Sequence, residues 1–150
     1  MSALFAFLHH LAAFALVAAI ALEFILINDE LTIERTRRLL RIDMLYGAAA
    51  GSLLVIGLIR VMWLEKGAAF YFHNAAFIAK VVLFLLVGLL SIYPTREFLG
   101  WRKALQRGQR PFVEPAKLRR IRTVLHIELA GVVLIILCAA LMARGIGFFD

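Results

Sequence analysis

Nine side chains in this sequence carry chemistry that an apolar chain does not keep by accident. His9 and His10 stand side by side in "FLHHLAAFALVAAIALEF" (residues 7–24), with Glu23 near its far end. Asp43 precedes a second apolar run that Arg60 interrupts in "LLVIGLIRVMWL". His73 and Lys80 fall within "FYFHNAAFIAKVVLFLLVGLL", and His126 and Glu128 open "LHIELAGVVLIILCAALMA". Polar groups cost free energy in hydrocarbon, so each needs a partner, a cavity or a function.

Depth along the apolar runs sorts these residues into two sets. His9, His10, Arg60, His73 and Lys80 lie toward one side, the histidine pair roughly 8 Å from the midplane at 1.5 Å per residue. His73 and Lys80 are seven positions apart and share a helix face. His9 and His10 diverge by about 100°, so one of them points into a shared pocket. Imidazole suits zinc, copper, iron and nickel. It is also the usual axial ligand of a haem b held between helices. On that reading His9 or His10 ligates iron, His73 or Lys80 stands opposite, and Arg60 balances a propionate. Phe5, Phe14, Phe70, Phe72, Phe77 and Phe84 are candidate walls. His9, His10 and His73 are equally the candidate ligands of a bare transition metal. The second set, toward the other side, is Glu23, Asp43, His126 and Glu128, with Tyr46 in reach. Plainer roles compete. Arg60 snorkels or pairs with Glu65, and Glu23 forms an ion pair with Arg41 or Arg122.

The elements that must position these groups are helices in a membrane. The chain has 150 residues, 63% of them hydrophobic, where a soluble domain has about 45–50%. The excess lies in four runs, at about 4–27, 43–64, 70–93 and 122–143. Each suits about 30 Å of hydrocarbon. Short connections force neighbours to be antiparallel. The expectation is an all-α, multi-pass membrane protein, one domain over residues 1–150, folded as an antiparallel four-helix bundle. Asp29 or Thr32 caps the amphipathic stretch before the second span. Gly47 and Gly51 in "GAAAG" make a small face for packing within the chain. Pro94 kinks or ends the third helix, an interfacial helix follows up to Gly108, and Pro115 fits the first turn of the last. The first run lacks the basic segment of a signal peptide and reads as a span.

The formal charge is +7. Thirteen of the 17 lysines and arginines fall on the first and third connections, from Arg35 to Arg41 and from Arg96 to Arg122. Only Lys66 and Arg144 lie on the other side. That asymmetry puts both basic connections in the cytoplasm and both termini outside. The basic residues then meet anionic lipid head groups, not nucleic acid. Cys138 is the single cysteine, so no intrachain disulfide forms. There is no Cys-x-x-Cys-His for covalent haem, no phosphate-cradling glycine loop and no His-Glu-x-x-His.

Over nearly its whole length the chain resembles the bacterial domain-of-unknown-function 2214 family of inner-membrane proteins. The resemblance rests on "FLHHLAAFALVAAIALEF", "RRLLRIDMLYGAAAG", "EKGAAFYFHNAAFIAKVVLFLLVGLLSIYPT" and "LHIELAG". More distantly its layout is similar to the haem-containing membrane protoporphyrinogen oxidases and to the copper-resistance D family. In the former, a first-span histidine matching His9 and a third-span lysine matching Lys80 are implicated in haem binding, and a last-span glutamate matches Glu128. The lysine and tryptophan flanking that histidine, and a later histidine of the third span, have no counterparts here. The likeness therefore implies shared architecture and haem binding, not the oxidase reaction.

Three functions follow from these readings. One is an inner-membrane protein that binds haem b in the outer pocket for redox or electron-transfer chemistry. Another is a transport module for a metal ion or small solute, acting as a homo-oligomer, with polar layers on both sides of a dry centre. The third is an accessory membrane subunit without chemistry.

Overall fold

A computed structural model of the chain describes residues 2–64 and 71–148. Its elements are α1 (Ser2–Asn28), α2 (Ile33–Ile59), a π-helical turn (Arg60–Leu64), α3 (Ala75–Gly100), α4 (Arg102–Gln106) and α5 (Pro115–Ala143). Four helices are long and apolar enough to cross a membrane. The helix α1 packs along α2, and α3 packs along α5. These two hairpins join chiefly through α1 against α5, with a lighter contact of α2 on α3. The antiparallel four-helix bundle expected from the spacing of the apolar runs is the fold.

The buried core occupies the half of the bundle nearest the basic connections. Leu16, Ile20 and Ile27 of α1 meet Leu39 and Leu40 of α2, Val87 and Phe98 of α3, and Ile121, Leu125 and Val132 of α5. Large apolar side chains also cover the outside, among them Phe7, Phe14, Val55, Leu89 and Val133. In water such a surface would drive association. In a bilayer it is the lipid-facing coat.

Helix ends depart from the apolar runs for local reasons. The helix α2 begins at Ile33, ten residues before the hydrophobic run, because Thr32 caps it by accepting from the Arg35 N–H at 3.2 Å. Asp29 pairs with the Arg35 side chain instead, at 3.2 Å. The basic stretch is therefore the first three turns of α2, not a separate connection. Pro94 does not end α3, which runs on to Gly100. A proline removes one backbone hydrogen bond, and here its fully buried ring replaces that loss with packing. The expected interfacial helix is α4, and Gly108 follows it at φ 68°, a left-handed turn that glycine adopts without strain. Pro115 is the first residue of α5.

Asn74 was not singled out by the sequence reading, yet it ties two segments together. Its Oδ1 accepts from the Phe77 N–H at 3.0 Å and caps α3. Its Nδ2 donates to the Ile146 carbonyl at 3.3 Å, and the Ala75 N–H donates to the Gly147 carbonyl at 2.7 Å. The turn after α5 is thus fastened to the start of α3.

The glycines also sort differently from expectation. Gly47 and Gly51 are exposed, and a methyl group added at either meets nothing within 4 Å. Their face points away from the bundle, so it does not provide the packing within the chain that the motif suggested. The close approach is at Gly131 on α5, where an added Cβ would stand 2.5 Å from Cγ2 of Val87 on α3. Valine is stiff at χ1, so it cannot swing clear. Gly131→Ala is expected to lower the stability of the detergent-solubilised protein by about 1–3 kcal/mol, while Gly51→Ala leaves it unchanged or slightly higher. Thermal unfolding followed by circular dichroism checks this; equal midpoints for the two variants would show that α3 and α5 separate freely at Val87.

Candidate functional site

The bundle gathers three members of one polar set, Glu23, Asp43 and Glu128, in its interior. Glu23 on α1 and Glu128 on α5 are 1% and 0% exposed, and Asp43 on α2 is also buried. Glu23 feels both Asp43 and Glu128, and Glu128 feels Asp43. Each faces inward because it repeats the spacing of buried apolar neighbours: Ile20, Glu23 and Ile27 on α1, and Leu125, Glu128 and Val132 on α5. These are the three- and four-residue steps of one helix face.

Hydrogen-bond donors come from the remaining elements. Thr95 on α3 donates its hydroxyl to Asp43 Oδ1 at 2.7 Å. Tyr46, one turn after Asp43, is buried with its hydroxyl beside Glu128 and Ser91. Even so, Glu23 Oε1 and both Glu128 oxygens have no hydrogen-bond partner among the described residues. An ionised carboxylate without a partner is among the costliest groups to bury.

The ion pair expected between Glu23 and Arg41 or Arg122 does not form. Arg122 turns from Glu23 to the end of α1, where its Nε and Nη2 donate to the Ile27 carbonyl at 3.1 and 3.0 Å. The last carbonyls of a helix lack intrahelical partners and carry the negative end of its dipole, so they compete successfully for the guanidinium. Arg41 is exposed, one helical step away from the buried face. His126 is exposed as well, its ring 5.4 Å from that of Phe24, and stays out of the cluster.

The other polar set is only partly assembled. His9 has Arg60 and Lys80 as electrostatic neighbours. Its ring lies over Gly57, with Cε1 3.5 Å from where a Cβ would stand, and its Nδ1 is buried without a partner. Lys80 Nζ sits 5.0 Å above the Phe77 ring. His10 points outward and spends its Nδ1 on the Ala6 carbonyl at 2.7 Å, so His9 is the member of the pair that faces the bundle. His73 is exposed. Of the five candidate wall phenylalanines among the described residues only Phe77 is buried, while Phe14 and Phe72 face outward; Phe70 lies outside the described residues. Glu65, the suggested partner of Arg60, also lies outside them. Among the described residues no three His, Cys, Asp or Glu side chains gather as ligands for a metal ion.

Sequence reasoning named all three carboxylates and Tyr46 but missed Thr95 and Ser91. The available signal was their spacing: with Pro94 and Phe98 they continue the buried face of α3.

A family profile described as "Predicted membrane protein (DUF2214)" matches residues 1–147. No curated protein and no solved structure matches the chain.

The cluster predicts a contrast between two conservative changes. Thr95→Val leaves Asp43 Oδ1 without its donor and is expected to cost about 1–3 kcal/mol of stability. Glu128→Gln keeps the shape of a buried acid that no donor reaches at full hydrogen-bond length, with the Tyr46 hydroxyl beside it, and is expected to be neutral or stabilising. Detergent thermal unfolding of both variants checks this; a large loss on Glu128→Gln would reveal a partner for that carboxylate.

Proposed function

The chain belongs to this family of predicted membrane proteins, and from that premise we propose that it handles protons at the acidic cluster of Glu23, Asp43 and Glu128. The observation that carries the reading is that two of these acids are fully buried inside a membrane bundle with oxygens that no donor among the described residues reaches at hydrogen-bond length. Intramembrane carboxylates of this kind mark proton and ion pathways. A proton asks less of the site than a metal ion does. It needs one carboxylate oxygen at a time, whereas a hard cation needs about six oxygens at roughly 2.0–2.6 Å. Thr95 supplies the hydroxyl that holds Asp43, and the Tyr46 hydroxyl lies beside Glu128.

Thirteen basic residues on one side support placing the first and third connections in the cytoplasm and both termini outside, in a bacterial inner membrane. The acidic cluster is then on the cytoplasmic side. The bundle core between the helices is filled, so a complete transmembrane path would run along a seam between copies in a homo-oligomer.

Reconstituted liposomes with a trapped pH-sensitive dye test this reading. An imposed potential is expected to drive proton flux through the wild-type protein, and Glu23→Gln or Glu128→Gln to slow it by about tenfold or more. Infrared spectroscopy is expected to show a carboxylic acid carbonyl band that Glu128→Gln removes. Correctly inserted wild-type protein without flux, or a double Glu23→Gln, Glu128→Gln variant with unchanged flux, would overturn it.

One observation favours a second reading, redox chemistry at a haem b. His9 offers a buried, unpartnered Nδ1 with Arg60 and Lys80 beside it. That is the donor chemistry an axial ligand and propionate partners require. When bound, the haem would supply one-electron redox chemistry. His9 would hold the iron, and Arg60 and Lys80 would balance the propionates. Protein expressed with haem precursor is then expected to show a Soret band that His9→Ala abolishes and His10→Ala keeps. A featureless spectrum from folded protein sinks this reading and leaves the proton reading standing.

A further inference from the structure

The arginines at the basic end are not equivalent. Arg35 pairs with Asp29 at 3.2 Å, Arg38 with Glu34, Arg110 with Glu30 and Lys117 with Glu97 at 3.1 Å. Arg122 is engaged with the end of α1. Nearly every acid at this end of the protein is used in these pairs. Arg37, Arg41 and Arg102 take none of them, and all three border a single cleft between α2 and α4, of about 360 Å³. Its remaining lining is Leu40 and Leu105, both buried, and Gln106. The cleft thus has an apolar floor, an amide donor and three guanidiniums with no acidic partner among the described residues.

The surroundings say what such a cleft would hold. It lies where α2 passes from its polar first turns into its apolar run. Toward the membrane centre the next outward residues are Met44 and Leu45 on α2 and Leu99 on α3, all exposed. Guanidinium groups bind phosphate oxygens in pairs with directed hydrogen bonds. A ligand with phosphate at one end and hydrocarbon at the other matches both halves of this surface. A diffuse basic surface attracts anionic lipid in general. Arg96, Lys103, Arg107, Arg119 and Arg120 also lack an acidic partner among the described residues but do not line the cleft, whereas Arg37, Arg41 and Arg102 converge on one recess with an apolar floor.

We propose that the α2–α4 cleft is a binding site for the phosphodiester head group of an anionic phospholipid. The acyl chains run down the Met44, Leu45 and Leu99 face. The α4 segment contributes through the side chains of Arg102, Leu105 and Gln106. The site is independent of the proton reading, because it lies outside the acidic cluster and uses none of its residues.

The test titrates detergent-purified full-length protein with dioctanoyl phosphatidylglycerol, dioctanoyl phosphatidylcholine and inorganic phosphate. Binding is read from Trp101 fluorescence and native mass spectrometry. Trp101 adjoins Arg102 and is buried with Leu105. The anionic lipid is expected to bind about tenfold or more tighter than the zwitterionic one. The double variant R41Q/R102Q is expected to lose that preference, while R119Q/R120Q, with the same loss of charge on α5, keeps it within about twofold. R41K/R102K keeps the charge without the guanidinium fork and is expected to fall between them. Equal losses in R41Q/R102Q and R119Q/R120Q would reduce the effect to diffuse surface charge and overturn the site. Inorganic phosphate binding as tightly as the lipid would overturn the lipid as its source.

Discussion

Three carboxylates held out of water between four helices set the terms for the rest of this structure. No single hairpin can enclose them, because Glu23 comes from α1, Asp43 from α2, Glu128 from α5, and the hydroxyl that holds Asp43 from Thr95 on α3. The densest apolar packing lies at the same depth, with Ile20, Leu39, Leu125 and Phe98 completely buried around the acids. Lipid tails are as apolar as leucine, so burial alone does not press these helices together. Close packing and polar contacts between helices must do so. The tight approach of Gly131 to Val87 and the grip of Arg122 on the end of α1 are contacts of that kind. Both lie on α5, which carries Glu128.

The four spans were legible because hydropathy over some twenty residues is a strong signal where water is absent. Some helix ends were legible as well, Thr32 as a cap and Pro115 as a first-turn residue, but others were not, because a helix does not stop where hydrocarbon does. The first turns of α2 are rich in arginine and read as a separate amphipathic stretch, yet the backbone continues unbroken from Ile33 to Ile59. Pro94 reads as a stop, yet one missing hydrogen bond near the end of a packed helix is a small deficit. The glycine motif failed for a different reason. Spacing tells that Gly47 and Gly51 share a face, but not which way that face turns.

The site was legible in its members and misread in its pairing. Charge complementarity suggested that Glu23 meets an arginine. Helix geometry decided otherwise, because Glu23 lies on the inward face with Ile20 and Ile27, while Arg41 lies outward and Arg122 is held by backbone carbonyls. The same geometry separated His9 from His10: adjacent residues point about 100° apart, and only His9 reaches the ground between α1 and α2 over Gly57. Thr95 went unnoticed because its spacing with Ser91 and Phe98 marks a helix face but not which way that face turns. Its role exists only once Asp43 stands opposite.

The two polar layers are opposite in sign and too far apart to serve each other. His9 and Glu23 are fourteen residues apart on α1, and Lys80 and Thr95 fifteen apart on α3, which places the layers about 20 Å apart along the bundle. At an effective dielectric of about 20, unit charges at that distance attract by only about 1 kcal/mol. That is far below the cost of desolvating a carboxylate. Arg60 and Lys80 therefore do not act as counter-ions for Glu23, Asp43 and Glu128. The acids must be stabilised where they stand, by the Thr95 hydroxyl on Asp43 and the Tyr46 hydroxyl beside Glu128. A bundle built only to pack would fill the same three positions more cheaply with leucines.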